Sequence, residues 1–270
     1  MTHKPLVFIT GASSGIGQAL AARYHRAGYR LALCARRGPQ MQEWAQSLHL
    51  PATDYAVYPA DVADVADTNS IVAAAQACMA SQGLPDVVIA NAGISLGIDS
   101  AYREDLDAMA QVFATNNLGL AATFHPFIDA MRTRGRGRLV GIASVAGIRG
   151  LPGHAAYCAS KAAVIAYCES LRGELRASGV QVITIAPGYI DTPLTRKNRY
   201  PMPFLMPADV FADKAFASIT AGTRYRVIPW QMGWVARLMR LIPDALWDRI
   251  LAGQPRKHRA GAAPSGPQQP

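Results

Sequence analysis

Three side chains that can exchange a proton lie close together in the second half of the chain. Tyr157 and Lys161 are four positions apart in a Tyr-x-x-x-Lys sequence, and Ser144 lies thirteen positions before the tyrosine. On a helix, residues i and i+4 share a face, so the phenol and the ammonium are predicted to lie side by side. A cation within about 4–6 Å lowers the pKa of a phenol from about 10. The spacing therefore predicts that Tyr157 can exchange a proton near neutral pH, provided that other segments supply a substrate.

The elements that must position these side chains follow one repeated pattern. Short β-branched segments alternate with longer Ala-rich segments of helical periodicity, which indicates parallel strands with helices on both faces of a sheet. The strands are predicted at Leu6–Thr10, Arg30–Ala35, Ala56–Pro59, Val87–Asn91, Arg138–Ser144, Gln181–Ala186 and Tyr225–Pro229. The helices are predicted near residues 16–27, 39–48, 67–82, 103–132, 155–178 and 207–221. The sequence therefore predicts an α/β fold, a doubly wound parallel sheet of about seven strands in three α/β/α layers.

A glycine-rich turn joins the first predicted strand to the first predicted helix. Its three glycines allow the backbone to turn tightly and to approach a ligand closely. Free N–H groups and the positive end of the helix dipole then favour a phosphate. Because the turn opens a βαβ pattern, it predicts a nucleotide-binding site. The residues assigned to the phosphate side of this site are Gly11, Ser13, Ser14, Gly15, Ile16 and Gly17.

Taken together, these motifs resemble the classical short-chain dehydrogenase/reductase (SDR) family. The resemblance rests on the Thr-Gly-x-x-x-Gly-x-Gly turn at residues 10–17, the Asn-Ala-Gly sequence at 91–93, Ser144 and the Tyr-x-x-x-Lys pair. It covers about residues 5–229, with the motifs in the family's order and spacing. It implies a Rossmann-type fold in one catalytic domain, 1–229, and an oxidoreductase that interconverts a carbonyl and an alcohol with a nicotinamide cofactor. It also implies a homodimer or homotetramer.

The resemblance gives each candidate catalytic residue a role. Tyr157 would be the general acid in reduction and would also contact the cofactor. Lys161 would lower the pKa of the tyrosine and bind the nicotinamide ribose, and Ser144 would hold and polarise the substrate oxygen. Asn116 matches the asparagine that kinks the preceding helix and anchors a water to the lysine. The neighbouring Asn117 leaves that assignment open, although the spacing to Gly119 favours Asn116.

The end of the second predicted strand bears on the choice of cofactor. An NAD-selective enzyme usually carries an acidic residue there for the ribose 2′-hydroxyl, whereas this strand ends in Arg36 and Arg37. A guanidinium suits a 2′-phosphate through its charge and its bidentate geometry. We therefore predict NADP(H), with Arg36 as the main contact and Arg37 and Ser13 as helpers. The alternative is that both arginines are simply solvated.

The resemblance assigns further segments to the cofactor and the substrate. The cofactor segments are Asp61 and Val62 at the adenine, Asn91, Ala92 and Gly93 on the adenosine side, and Pro187, Gly188, Ile190 and Thr192 at the nicotinamide carboxamide. Each could instead be an ordinary strand exit or helix cap. Residues 188–207 would form a substrate lid. Its apolar side chains, Met202, Phe204, Leu205 and Met206, indicate either a hydrophobic substrate or packing within the lid.

The segment after the last predicted strand has its own character. In residues 230–252, apolar residues at helical spacing are interleaved with tryptophans and arginines, a pattern typical of a helix pair lying on a membrane surface. The alternative is that this extension covers the substrate mouth or packs on another subunit. Residues 253–270 are predicted to be a disordered basic tail rich in proline and glycine. Peripheral membrane contact would involve residues 230–259.

Composition excludes several classes of protein. The net charge is +9, but the segment from Arg224 onward carries +6 of it, so the nearly neutral body does not predict nucleic-acid binding. The N-terminal sequence lacks a signal-peptide pattern and no apolar run reaches about 18 residues, which predicts a cytoplasmic protein, with peripheral contact at a membrane surface as the alternative. The four cysteines lack metal-ligand spacing and are predicted to be reduced, and no metal is expected.

Three other functions are alternatives to the oxidoreductase. A Ser/His/Asp hydrolase using His154 would need a Gly-x-Ser-x-Gly elbow, which the sequence lacks. A non-catalytic NADP(H)-binding sensor or scaffold would not need Ser144, Tyr157 and Lys161 together. A peripheral membrane protein whose fold merely presents the basic tail is the remaining alternative. The substrate is predicted to be a small, apolar carbonyl or alcohol.

Overall fold

A computed structural model of the chain describes residues 4–65, 70–196, 198, 201–253 and 259. Seven parallel strands form one sheet in the order β3-β2-β1-β4-β5-β6-β9. These strands are β1 (Leu6–Thr10), β2 (Arg30–Ala35), β3 (Tyr55–Pro59), β4 (Val87–Ala90), β5 (Gly137–Ile142), β6 (Val180–Pro187) and β9 (Tyr225–Ile228). Two short strands, β7 (Ile190–Asp191) and β8 (Met206–Pro207), pair with each other outside this sheet. The predicted seven-stranded parallel sheet is confirmed, with boundaries that differ by at most two residues.

Helices cover both faces of the sheet. They are α1 (Gly15–Arg26), α2 (Gly38–Ser47), α3 (Ile71–Gln82), α4 (Asp105–Phe113), α5 (Gly119–Arg134), α6 (Ala155–Glu174), α7 (Ala208–Thr220), α8 (Trp230–Leu241) and α9 (Asp244–Leu251). One buried cluster joins the sheet to α3, α5 and α6, and a second joins its other face to α1, α2 and α7. Successive strand residues alternate between the clusters, as Phe8 and Ile9 do. The fold is therefore the predicted three-layer, Rossmann-type arrangement.

The single helix predicted over residues 103–132 is wrong in one respect. The structure divides it into α4 and α5, joined by a wide π-helical turn at Ala114–Leu118. The Asn116 side chain at the centre of this turn is buried and bonds to the main chain at Ile94 and to the side chain of Ser160. Those remote partners hold the wider turn, which is why helical periodicity alone did not reveal it.

The segment that follows β6 contains structure that the sequence did not predict. Its two ends are tied together where Ile190 pairs with Met206 in the β7–β8 ladder. Near the first end, the Thr195 hydroxyl donates a hydrogen bond of 2.5 Å to the Ile190 carbonyl oxygen. Residues 197, 199 and 200, near the middle of the predicted lid, lie outside the described residues. The segment is therefore anchored on both sides of that gap.

The C-terminal extension forms two helices, α8 and α9. Met232 and Ala236 of α8 are buried, whereas Trp234 and Leu238 keep 57% and 60% of their surface exposed. The predicted start of the third helix, 67–69, and nearly all of the predicted disordered tail lie outside the described residues. Within the described part of the chain, no helix is both long enough and apolar enough to cross a bilayer.

Candidate active site

A cleft of about 360 Å³ opens at the carboxyl ends of the central strands. In the sheet, β2 and β3 lie on one side of β1 and β4 lies on the other. The cleft lies at this point, where the strand order changes direction. Ligands of doubly wound sheets bind at this kind of topological switch point. The predicted site residues that line it are Gly11, Ser13, Ser14, Gly15, Ile16, Arg36, Arg37, Asp61, Val62, Asn91, Ala92, Gly93, Ser144, Tyr157, Lys161, Pro187, Gly188, Ile190 and Thr192.

Two predicted site residues, Gly17 and Asn116, lie behind the lining rather than in it. Gly17 packs so closely on the first turn that a Cβ atom there would lie 2.2 Å from the Gly11 carbonyl oxygen. Gly11 itself adopts a φ of +67°, which favours glycine. The Asn91 side-chain amide donates a hydrogen bond of 3.0 Å to the Thr10 carbonyl oxygen and so ties β4 to this turn. The glycines thus let α1 begin directly beneath the cleft.

A guanidinium and two hydroxyls form one wall of the cleft beside the glycine turn. Arg37 donates hydrogen bonds from its Nη2 atom to Ser13 Oγ at 2.9 Å and to Ser14 Oγ at 3.2 Å. The Arg36 side chain points towards Asp61, with its Nη1 atom 3.6 Å from a carboxylate oxygen, and it is 68% exposed. This wall therefore carries two cations, one bonded to hydroxyls and one beside a carboxylate.

Ser144 and Tyr157 meet at the other end of the cleft. Ser144 follows β5, and its Oγ atom accepts a hydrogen bond of 3.1 Å from the amide of Ala146, which leaves its own proton free to be donated. Burial raises the pKa of Tyr157, while a hydrogen-bonding interaction with Ser144 acts in the opposite direction. The prediction of a lowered tyrosine pKa is therefore wrong for the chain alone, because desolvation outweighs the favourable contacts.

Lys161 lies one turn beyond Tyr157 on α6, as the spacing predicts. Its Nζ atom is 5.9 Å from the centre of the Tyr157 ring and donates a hydrogen bond of 2.9 Å to the Ile142 carbonyl oxygen. The side chain is only 5% exposed, and this burial lowers the pKa of the ammonium from 10.5 to about 8. A Cβ atom on Gly93 would lie 3.4 Å from Nζ, so glycine keeps the ammonium open to the cleft.

Asn116 supports this end of the cleft, and both polar atoms of its side chain form hydrogen bonds. Its Oδ1 atom accepts a hydrogen bond of 2.8 Å from the Ile94 amide, and its Nδ2 atom donates to the Ile94 carbonyl at 3.0 Å and to Ser160 Oγ at 2.9 Å. Asn117 instead donates to the carbonyl of Ser160 at 2.8 Å. Asn116 thus joins the segment after β4 to α6, one residue before Lys161.

Sequence reasoning missed several residues that complete the cleft. They include Ile94, Gln111, Thr115, Ile142, Ala143, Leu194 and Thr195. Gln111 and Thr115 are four positions apart, the spacing of residues on one helix face, so either could have been found from the other. The lid residues Phe204 and Leu205 do not line this cleft, since they border a separate groove with Trp230 beside α8.

The remaining sequence candidates lie away from the cleft. His154 is buried just before α6, and its Nδ1 atom is 3.2 Å from the Pro152 carbonyl oxygen. All four cysteines are buried free thiols, as predicted. Among the residues that the structure describes, no group of three or more His, Cys, Asp or Glu side chains could hold a metal ion.

The fold, the glycine turn and the serine, tyrosine and lysine at one cleft define a nucleotide-dependent oxidoreductase scaffold. The family model for short chain dehydrogenase matches residues 5–202. The chain therefore belongs to the short-chain dehydrogenase/reductase family, and it is an oxidoreductase of that family.

Relatives and solved structures agree with this assignment. An uncharacterized oxidoreductase from Myxococcus xanthus is 38% identical over 240 residues, covering 89% of this chain and 93% of the relative. A short-chain dehydrogenase from Sphingobium yanoikuyae, solved in complex with NADPH, is 26% identical with a TM-score of 0.74, covering 89% of this chain and 97% of that one. A Burkholderia phymatum short chain dehydrogenase/reductase solved with NAD shares the fold at 22% identity and a TM-score of 0.78, covering 88% and 94%.

Proposed function

We propose that this protein is an NADP(H)-dependent oxidoreductase that interconverts a ketone or aldehyde and the corresponding alcohol, with Tyr157 as the general acid and base. The observation that carries the proposal is the meeting of Ser144, Tyr157 and buried Lys161 at one end of a cleft whose other end is a glycine turn. A scaffold that only bound a nucleotide would not need proton-exchanging groups at the far end of its site. The non-catalytic sensor is therefore the weaker candidate.

The residues at the cleft fit a nicotinamide dinucleotide. Close packing at Gly11 and Gly17 leaves backbone rather than side chains at the start of α1, where a pyrophosphate would be held. Lys161 would bind the nicotinamide ribose, and Pro187, Gly188, Ile190 and Thr192 would line the carboxamide side. When bound, the nicotinamide supplies or accepts the hydride.

Proton transfer in this proposal belongs to Tyr157. In reduction, its O–H group protonates the substrate oxygen, and in oxidation its phenolate removes the alcohol proton. Ser144 donates its free proton to the same oxygen and holds it beside the phenol. The Lys161 ammonium favours the phenolate once both groups face a bound ribose, since its positive charge lies within about 6 Å of the ring.

Selection of NADP(H) is proposed to rest on both arginines. Arg37 is already oriented by Ser13 and Ser14, so its guanidinium and their hydroxyls form a preformed anion site. Arg36 would turn towards the 2′-phosphate from Asp61, with which it makes only an exposed contact of 3.6 Å. Because similar structures were solved with NADPH and with NAD, the choice of NADP(H) rests on these two arginines.

The substrate is proposed to be hydrophobic, such as a long-chain aldehyde, a ketone or a lipid-like alcohol. Ile94 and Leu194 supply apolar side chains to the lining of the cleft, and the lid is anchored by the β7–β8 pair. The direct test is to follow NADPH absorbance with a panel of apolar and polar carbonyls. Turnover of apolar members supports the proposal, whereas activity confined to sugars or polar ketones would contradict this part of it.

A second property, contact with a membrane surface, is proposed for the C-terminal extension. Trp230, Trp234, Leu238 and Leu241 are exposed at helical spacing along one side of α8. This helix carries two arginines and no acidic residue, so two copies of it packed together would oppose like charges, whereas anionic lipids would complement them. Oligomerisation as a dimer or tetramer is proposed through other faces of the protein.

A further inference from the structure

One buried arginine ties the C-terminal extension to the loop that separates Ser144 from Tyr157. Arg149 lies in this loop, and its side chain is 11% exposed. Its Nη1 atom donates hydrogen bonds to the carbonyl oxygens of Met239 and, at 2.7 Å, Ile242, at the end of α8. Cations are favoured at this position because the last carbonyls of a helix are unpaired and its dipole is negative there.

Arg149 also reaches the start of α9. Its Nη2 atom forms an ion pair of 2.9 Å with Asp244, and its guanidinium lies 4.6 Å from the centre of a Trp247 ring. The indole Nε1 atom of Trp247 in turn donates a hydrogen bond of 3.3 Å to the Gly150 carbonyl oxygen. The Arg149 guanidinium thus connects the loop to both C-terminal helices, and Trp247 beside it donates a hydrogen bond to the loop.

The loop residue before Arg149 is held as well. Arg240 on α8 donates a hydrogen bond of 3.0 Å to the carbonyl oxygen of Ile148. Three consecutive residues, 148–150, therefore bond to α8 or α9. Because this loop would otherwise lie on the surface with its carbonyls towards water, these contacts limit its freedom to move.

The held loop packs directly against the catalytic helix. Gly147 lies so close to α6 that a Cβ atom there would be 2.6 Å from the carbonyl carbon of Lys161. At the far end of the loop, the Gly153 carbonyl accepts a hydrogen bond of 3.3 Å from the Ile98 amide. Displacement of residues 148–150 would therefore disturb the contacts of the loop with α6 and with the segment that follows β4.

We infer that Arg149 is a positioning residue, which fixes the loop between Ser144 and Tyr157 by bonding it to α8 and α9. This inference rests on the proposed function for its catalytic consequence, since the loop joins the two residues whose hydroxyls would act on the substrate oxygen. The glycine turn and Arg37, which would hold the phosphates of the cofactor, lie in other segments of the chain and are not among the partners of Arg149 described above. Loss of Arg149 should therefore impair turnover much more than NADPH binding.

The test compares full-length wild type with Arg149→Ala, Arg149→Lys and Trp247→Phe, using Arg132→Ala as control. Arg132 is an exposed arginine with one surface ion pair, so its removal should change little. Hydrogen exchange of peptides from residues 145–154 should rise in Arg149→Ala and stay unchanged in the control. With a carbonyl from the panel, kcat should fall about 10- to 100-fold, while the Kd for NADPH stays within about twofold and Arg149→Lys recovers part of the loss.

The outcomes separate the inference from the proposed function. Unchanged exchange in residues 145–154, or an unchanged kcat in a folded Arg149→Ala protein, would overturn the inference. If Arg149→Ala does not fold, Trp247→Phe decides, because it keeps an aromatic ring beside Arg149 and removes the indole N–H that donates to Gly150. Raised exchange in residues 145–154 of that variant supports the inference, and unchanged exchange overturns it. If the wild type reduces no carbonyl, the proposed function fails, and the exchange measurement still decides whether Arg149 fixes the loop.

Discussion

Lys161 donates a hydrogen bond of 2.9 Å from its Nζ atom to the main-chain carbonyl oxygen of Ile142, the last residue of β5. The bond joins α6, which carries Tyr157, to the strand that ends two residues before Ser144. It also fixes a buried cation, whose pKa burial lowers to about 8. Under the proposed function, the protein thus keeps a buried cation that serves the reaction at a cost to its stability.

The first prediction concerns this cost. In Lys161→Met the side chain keeps a similar length but carries no charge, so the variant should lose turnover. Its apoprotein should be more stable than the wild-type apoprotein at pH 7. The lysine releases its proton near pH 8 when folded and near pH 10.5 when unfolded. The wild type should therefore regain up to about 3 kcal/mol relative to the variant between those pH values.

The measurement is the free energy of unfolding in urea for both proteins at pH 7, 9 and 10.5. Loss of the hydrogen bond to Ile142 changes the free energy of unfolding of the variant by the same amount at every pH. The decisive quantity is therefore how the difference in unfolding free energy between the two proteins varies with pH. A difference that does not vary with pH would show that Lys161 is not held as a costly buried cation.

The second prediction concerns the cofactor. Arg36→Asp should move preference from NADPH towards NADH, since it replaces a cation by a carboxylate that can bind a ribose 2′-hydroxyl. Arg37→Ala should weaken NADPH binding about 10- to 100-fold and NADH binding much less, because a charge-assisted hydrogen bond contributes about 1.5–3 kcal/mol. Fluorescence titration gives each Kd, with exposed Arg26 changed to alanine as control. An unaltered NADPH affinity in both variants would contradict the assignment.

The third prediction uses a pair of glycines. Gly17→Ala should abolish dinucleotide binding or folding, because its Cβ atom would meet the Gly11 carbonyl oxygen at 2.2 Å. Gly173→Ala lies in α6 with no atom within 4 Å of the added Cβ, and it should raise stability by up to about 1 kcal/mol. Thermal unfolding and NADPH titration of the two variants give the comparison. Normal cofactor binding by Gly17→Ala would show that the close packing at the turn is not required.

The fourth prediction concerns the exposed side of α8. Full-length protein should sediment with vesicles of mixed phosphatidylcholine and phosphatidylglycerol and much less with phosphatidylcholine alone, and added salt should reduce binding. Trp234→Ser with Leu238→Ser should remove this binding. The control double variant, Leu48→Ser with Leu118→Ser, changes two similarly exposed leucines elsewhere.

Two results would count against lipid binding by α8. One is equal sedimentation of the two double variants. The other is conversion of a dimer to a monomer by the α8 changes alone, which would assign that surface to a second copy of the chain.

Much of the fold and of the cofactor cleft follows from local sequence. A strand, a glycine turn and a helix start at fixed spacing define the backbone path, and Tyr157 and Lys161 share a face because four residues make about one helical turn. The resemblance implied a kink in the helix at Asn116, but the π-helical form of that turn did not follow from local sequence, since Ile94 and Ser160 hold it from distant parts of the chain. The burial of a side chain likewise depends on tertiary packing between distant segments.

That dependence explains why the pKa of Tyr157 is raised rather than lowered. It also explains the bonds of Arg149. Nothing near Arg149 in sequence predicts that its guanidinium reaches the end of α8, about ninety residues later. Contacts of this kind are set by how the completed sheet brings distant segments together.

The role of Tyr157 is tested most directly by Tyr157→Phe, which removes one oxygen and little else. For a carbonyl that the wild type reduces, kcat should fall about 10²- to 10⁴-fold while the Kd for NADPH stays within about twofold, because only the proton donor is lost. Tyr167→Phe, a change of a partly exposed tyrosine elsewhere on α6, is the matched control and should retain full activity. Turnover by Tyr157→Phe within tenfold of wild type, about 1.4 kcal/mol of barrier, would contradict the assignment of Tyr157 as the general acid.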